Sequence, residues 1–129
     1  MRLDRTQGLT PEGYELIADC FRVLAEPLRL RILHLLKEGE KNVGELVAHL
    51  DVSQPSVSKH LRVLLEADLV ARRQEGTSAY FRIKDPIIFQ LCELMCDSLE
   101  TRLRAKAERA WRVFETEPHA PQDLRPRFP

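Results

Sequence analysis

The sequence predicts a mostly helical fold carrying one small β-hairpin, and three observations lead there. Capping residues and prolines divide residues 10–67 into four helical stretches, the apolar period turns from helical to extended after Asp68, and helical spacing returns from Asp85 onward. At 129 residues and 14.9 kDa the chain has room for one modest core without disulfides or metals.

The elements follow in order. Thr10 and Pro11 read as N-cap and first helical position of a helix running to about Ala25. It carries two apolar stripes, Tyr14, Ile17, Phe21 and Leu24 on one side and Leu16, Cys20 and Val23 on another, as a helix sandwiched between its own domain and something else would. Pro27 opens a second helix to about Lys37 with Leu28, Ile32, Leu35 and Leu36 inward, and Gly39 ends it. Asn42 with Glu45 three positions on forms a capping-box pattern for a short helix from Val43 to Leu50. Ser53 caps a fourth, Gln54 to about Ala67, whose buried stripe is Val57, Leu61, Leu64 and Leu65; Pro55 is tolerated in its first turn. Leu69 to Gln74 and Ala79 to Lys84 then flank a four-residue loop, Glu75 to Ser78, as a hairpin. Asp85 and Pro86 open a last helix reaching about Phe114, roughly 44 Å long at 1.5 Å per residue. Its apolar face is Ile88, Leu91, Cys92, Met95, Leu99, Leu103, Ala110 and Phe114, more than so small a domain can cover, which predicts packing on a partner, most simply its own copy in a two-fold dimer. Residues 1–9 read as an N-terminal arm, 10–115 as the domain, and 116–129, with four prolines, as a tail.

Composition narrows the class. With 43% hydrophobic and 31% charged residues the chain is neither a disordered nor a membrane protein. No apolar run approaches the roughly 18 to 20 residues of a membrane span, and the start MRLDRTQGLTPEG lacks the apolar core of a secretory signal, so a cytoplasmic protein without a membrane partner is expected. Three cysteines, an odd number, fit reduced thiols. No Ser/His/Asp constellation, phosphate-cradling loop or paired-carboxylate motif points to an enzyme. The formal net charge is zero, yet residues 53–84 carry 6 Lys/Arg against 3 Asp/Glu, whereas residues 1–52 carry 7 against 9. A basic middle between acidic flanks is what a phosphate-facing patch on a neutral body gives.

Two short helices joined at Asp51 and Val52, followed by a hairpin, have the layout of a winged helix-turn-helix, and double-stranded DNA is the expected partner. Projection at 100° per residue sets Ser56 and Lys59 opposite Val57 and Leu61, with Gln54, Ser58, His60 and Arg62 on the flanks. Gln54 suits adenine, Ser56 a base edge or phosphate, and Lys59 and Arg62 phosphates. In the hairpin, alternation is expected to pair Arg72 with Arg82, or Arg73 with Lys84, on one face each. The competing class is an interaction module using the same fold as a scaffold.

The run LVAHLDVSQPSVSKHLRVL, from Leu46 to Leu64, closely resembles the recognition motif of the arsenic-repressor (ArsR/SmtB) family. The opening LAEPLRLRIL from Leu24 and the segment from Leu69 and Val70 through Arg73, Gly76 and Tyr80 to Ile83 resemble that family too, so the likeness covers about residues 20–90. It implies a homodimeric repressor of its own or neighbouring genes, with the dimer built from the first and last helices. Two recognition helices related by a two-fold axis would require an inverted-repeat operator, met by Ser53, Gln54, Ser56, Ser58, Lys59, His60 and Arg62 and by Arg72, Arg73 and Arg82 of the wing. The likeness also implies His60 as a backbone or base-edge contact. The wing tip departs from the family pattern, with Thr77 and Ser78 in place of basic residues.

The family commonly releases DNA when a metal, metalloid or oxidant occupies a small site. A Cys-x-Cys site in the third helix is absent, and residues 86–115 hold no histidine for a zinc site. Glu45 and His49 share one side of a helix, but two ligands make a poor zinc site. Cys92 and Cys96 are four apart, with Cys20 as a third sulfur, a set suited to arsenite or another thiophilic ion as inducer, with no obligate cofactor. The same thiols suit a redox or persulfide sensor, or simple packing.

Overall fold

The computed structural model describes residues 5–112, so the tail at 116–129 and the helix end at Phe114 lie outside the described residues. The chain falls into two units that divide between Asp85 and Pro86. After a 3₁₀ turn at Arg5–Gly8, the first unit runs α1 (Pro11–Leu24), α2 (Pro27–Lys37), β1 (Lys41–Asn42), α3 (Val43–Leu50), α4 (Gln54–Glu66), β2 (Val70–Glu75) and β3 (Ser78–Ile83). The second unit is α5 (Ile87–Trp111). This is a mostly helical winged helix-turn-helix with a small antiparallel sheet.

Side-chain caps start four helices at the expected places. The Thr10 hydroxyl accepts from Gly13 N–H at 3.1 Å, and the Glu26 carboxylate, a cap the sequence pattern does not announce, accepts from Leu28 N–H at 3.0 Å. Asn42 and Glu45 form a reciprocal capping box, and the Ser53 hydroxyl accepts from Ser56 N–H at 3.3 Å. Such caps satisfy N–H groups that have no partner in the helix. Helix α5 begins after Pro86, a residue whose own side chain makes no cap hydrogen bond.

Ile32, Leu33 and Leu36 of α2, Leu46 and Leu50 of α3, and Val57, Leu61 and Leu64 of α4 are buried with Val70 and Phe81 of the sheet. Leu33 joins this core in addition to the expected stripe, while Leu28, Leu35 and Leu65 are only half-buried. Burial of each large aliphatic side chain contributes about 1.5 to 3 kcal/mol. The core therefore lies beneath α3 and α4 and holds them at a fixed mutual angle.

Helix α1, expected to be sandwiched between its own domain and something else, is little covered by the described residues. It packs against α2, yet none of its residues is buried, and Tyr14, Leu16 and Phe21 are 56%, 67% and 58% exposed. The Tyr14, Ile17 and Phe21 stripe is thus not covered by its own domain. In α5, Ile88 is buried and Leu91, Cys92, Cys96, Leu99 and Leu103 are half-buried. Met95, expected within the apolar face, is instead exposed together with Leu94. Among the described residues no helix is long and apolar enough to cross a membrane.

The sheet has the order β1-β3-β2, all antiparallel. Strand β1 adds to the expected hairpin: two residues, Lys41 and Asn42, pair with Phe81 and Tyr80 and tie the start of α3 to it. The hairpin loop is two residues rather than four, because Glu75 and Ser78 pair directly. Gly76 takes φ +59° at the first loop position, which a tight II′ turn requires and a side chain would resist.

Candidate nucleic-acid interface

The turn between α3 and α4 is set by Asp51, which ends α3 in the left-handed region at φ 53° and still donates its N–H to the Val47 carbonyl. Asp tolerates that conformation better than most residues. Asp68 ends α4 in the same way, at φ 64°. Its N–H bonds the Leu65 carbonyl and that of Leu69 bonds Leu64, the paired pattern of a Schellman motif. These two stops fix the length and exit direction of α4, the helix that would enter a groove.

On α4 the buried Val57, Leu61 and Leu64 stripe leaves the opposite face outward. Ser53, Gln54, Ser58, Lys59 and Arg62 are exposed, and Ser56 is half-buried. The Ser53 hydroxyl oxygen is committed to the cap. Among the described residues, Lys59 and Arg62 form no ion pair within the chain. The exposed end therefore offers neutral donors and acceptors followed by two cations one turn further on. That arrangement suits base edges first and phosphates behind.

His60 stands on the same helix. Its ring is half-buried, and its Nδ1 accepts from Arg29 Nε of α2 at 3.1 Å, so one of its two nitrogens is committed inside the protein.

In the wing, residues opposite one another in the ladder share a face. Arg82 stands opposite Ala71 and Arg73 opposite Tyr80, so Arg73 and Arg82 lie on one face with Tyr80, and Arg72 lies on the other. The expected pairing of Arg72 with Arg82 is therefore wrong: a register joining Arg72 to Phe81 puts Arg82 one residue out of phase. Arg72 donates to Gln74 Oε1 at 2.7 Å, and among the described residues it forms no ion pair.

Arg73 is held differently. Its Nε and Nη2 donate to the Glu40 carboxylate, its Nη1 donates to Glu75 Oε2 at 2.7 Å, and its guanidinium carbon lies 5.0 Å from the Tyr80 ring centre. The Arg73 hydrogen bond, helped by the charges of Arg73 and Arg82, holds the Glu40 carboxyl below the ordinary glutamate range. Glu40, followed by Glu75, raises Arg73 further above its ordinary value. Lys84 is similarly paired with Asp68 at 2.6 Å. Of the six cations in residues 53–84, Lys59, Arg62, Arg72 and Arg82 are thus the ones with no bonded carboxylate among the described residues. Glu40 was not legible as a wing residue, because it lies 33 positions from Arg73.

Cys92 and Cys96 lie one turn apart on α5, both half-buried, while Cys20 is exposed on α1. Among the described residues no three His, Cys, Asp or Glu side chains are grouped to hold a metal ion. Glu45 and His49 are used locally: the Glu45 side chain closes the capping box, and His49 Nδ1 lies 2.8 Å from the Glu45 carbonyl oxygen.

Residues 26–72 match the model of the arsR family of bacterial regulatory proteins. A transcriptional repressor SmtB homolog of Synechocystis is 31% identical over 105 residues, covering 78% of this chain and 80% of that protein. The chain belongs to the arsR family. A probable mercury resistance operon repressor of Streptomyces lividans is 38% identical over 74 residues, 57% of this chain and 59% of its own length. The crystal structure of the Mycobacterium tuberculosis protein Rv0081 superimposes with a TM-score of 0.68 at 34% identity, covering 76% of this chain and 98% of that one. As an arsR-family protein the chain is a DNA-binding transcriptional regulator and not an enzyme.

Proposed function

We propose that this arsR-family protein is a homodimeric repressor that occupies an inverted-repeat operator in the cytoplasm and leaves it when a thiophilic inducer binds its cysteines. The observation that carries the DNA reading is the α4 surface, a polar and cationic face set directly opposite the buried Val57, Leu61 and Leu64. Repression is supported by the relatives, among them the Synechocystis repressor homolog and the Streptomyces mercury operon repressor. Dimerisation is supported by the unburied apolar surface of α1, which a second copy would remove from water. An inverted repeat follows from two-fold symmetry, with half-sites about 10 base pairs apart or a multiple of that.

The inducer reading rests on Cys92 and Cys96, whose sulfurs share one side of α5. Two thiolates suit a soft ion. Trivalent arsenic, which takes three, would draw its third sulfur from Cys20 of a second copy. The test is a fluorescein-labelled fragment of the DNA upstream of its own gene, followed by anisotropy at several salt concentrations with and without arsenite or mercuric ion. Steeply salt-dependent binding that either ion abolishes is the expected result. Binding that ignores both ions removes the inducer and leaves the repressor, whereas no binding leaves an interaction module on the same fold.

A further inference from the structure

His60 sits on the recognition helix, but its firmest connection points inward. Arg29 Nε donates to His60 Nδ1 at 3.1 Å, and Arg29 Nη1 donates at 3.1 Å to the Val23 carbonyl in the last turn of α1. That carbonyl belongs to the group at a helix end with no acceptor role inside the helix, so Arg29 caps α1 as well as holding the histidine. A guanidinium has donors only and stays charged at any working pH. For that bond to form, Nδ1 must carry the lone pair, which leaves Nε2 as the site of the ring proton. The fork is planar and rigid, so its two bonds fix the last turn of α1 and the middle of α4 with respect to each other.

Taking the DNA-binding reading as its basis, we propose that Arg29 is a positioning residue that sets the tautomer of His60 and makes the recognition helix follow α1, with His60 acting through Arg29 and not by touching a base. Helix α1 has no buried residue, so its own domain restrains it weakly. Anything that re-seats α1, the packing of a second copy included, then reaches α4 through one side chain.

His60→Asn separates the two roles, because Asn keeps an acceptor near the Nδ1 position and loses the Nε2–H. Arg29→Ala and His60→Ala should each weaken binding to the upstream fragment by roughly ten- to a hundredfold, the scale of a hydrogen bond from a charged group. The double variant should bind no more weakly than either single one, the salt slope should stay unchanged, and His60→Asn should bind like the parent. Nitrogen-15 spectra of the imidazole should give one Nε2–H tautomer in the parent and a mixture in Arg29→Ala, with thermal melts establishing that each variant is folded. His60→Asn as weak as His60→Ala would mean direct DNA contact and overturn the proposal. So would additive effects, a salt slope lower by about one in Arg29→Ala, or a parent ring protonated on Nδ1. If the parent binds no DNA, the functional reading fails and the coupling to DNA fails with it, while the spectra still decide the tautomer.

Discussion

Gln54 and Lys59 are five positions apart on α4 and are expected to fail in different ways. Gln54→Ala or Ser56→Ala should relax preference at particular base pairs, by about 1 to 3 kcal/mol where the side chain reads a base edge. Lys59→Ala or Arg62→Ala should weaken all sequences alike and lower the salt slope by about one for each phosphate no longer neutralised. Anisotropy against a panel of single-base operator variants separates the two patterns, and identical behaviour of all four substitutions would move the reading face elsewhere. Arg73 is the contrasting case: a basic wing residue whose charge is already answered by Glu40 and Glu75. Because the Glu40 carboxyl is held below its ordinary value of 4.5, its pairing is present in full above that value and is lost as pH falls through the lowered one. Tyr80 ring signals should therefore shift during acid titration of the parent, and Glu40→Gln at neutral pH should already resemble the acid form. A Tyr80 environment indifferent to both changes would mean that the pair does not persist in solution.

Among the elements, α3 and α4 depend on caps and core packing of known scale. Asn42→Ala removes one half of the α3 capping box and should cost about 1 kcal/mol, read as a lower midpoint in urea with an unchanged slope. Leu61→Ala empties a site that is 1% exposed and should cost about 2 to 5 kcal/mol, because the surrounding core refills the space only in part. A cost below about 1 kcal/mol at Leu61 would mean that α4 is not seated on this core. The wing shows how two residues alter an element. With β1 paired to β3, the hairpin gains a third strand that joins it to the N-terminus of α3, so wing and helix-turn-helix are one framework.

For the whole molecule, the testable quantities are assembly and charge. A dimer that uses Lys59, Arg62, Arg72 and Arg82 of both copies should bind with a logarithmic salt slope of about −7, whereas Arg73 and Lys84 joining them would bring it to about −11. The smaller value is expected, since both additional side chains are already paired with carboxylates. Leu16→Lys combined with Phe21→Lys places charge on the uncovered surface of α1 and should yield monomers by sedimentation at micromolar concentration, with operator binding abolished. A double variant that remains dimeric would put the interface elsewhere. Cys92→Ser with Cys96→Ser should bind the operator as the parent does yet no longer release it under arsenite or mercuric ion. Normal release by that variant would make these cysteines packing residues.

The helix boundaries, the capping box, the α4 stripe and the polar recognition face are readable from the chain because each is written within a few neighbouring residues. Thr10, Asn42 and Ser53 cap helices within three positions of themselves, and Val57, Leu61 and Leu64 recur at the helical period. What escapes a reading along the chain depends on partners remote in sequence. Strand β1 exists only because Phe81 and Tyr80 lie beside Lys41 and Asn42, and no two-residue strand has a periodicity of its own. Arg73 has the character of a DNA ligand along its strand, and only the fold sets Glu40 against it; His60 has the position of a base contact, and only the fold brings Arg29 to its Nδ1. The failure of the expected Arg72 and Arg82 pairing has the same origin, since face is decided by register across the ladder and not by basic character along one strand. The order of helices and hairpin is thus local information, carried by residues that are neighbours along the chain. Which charged groups remain available to a phosphate, and which are already committed to one another, was decided by the tertiary structure, because hydrogen bonds and ion pairs across 31 and 33 positions form only once the chain has folded.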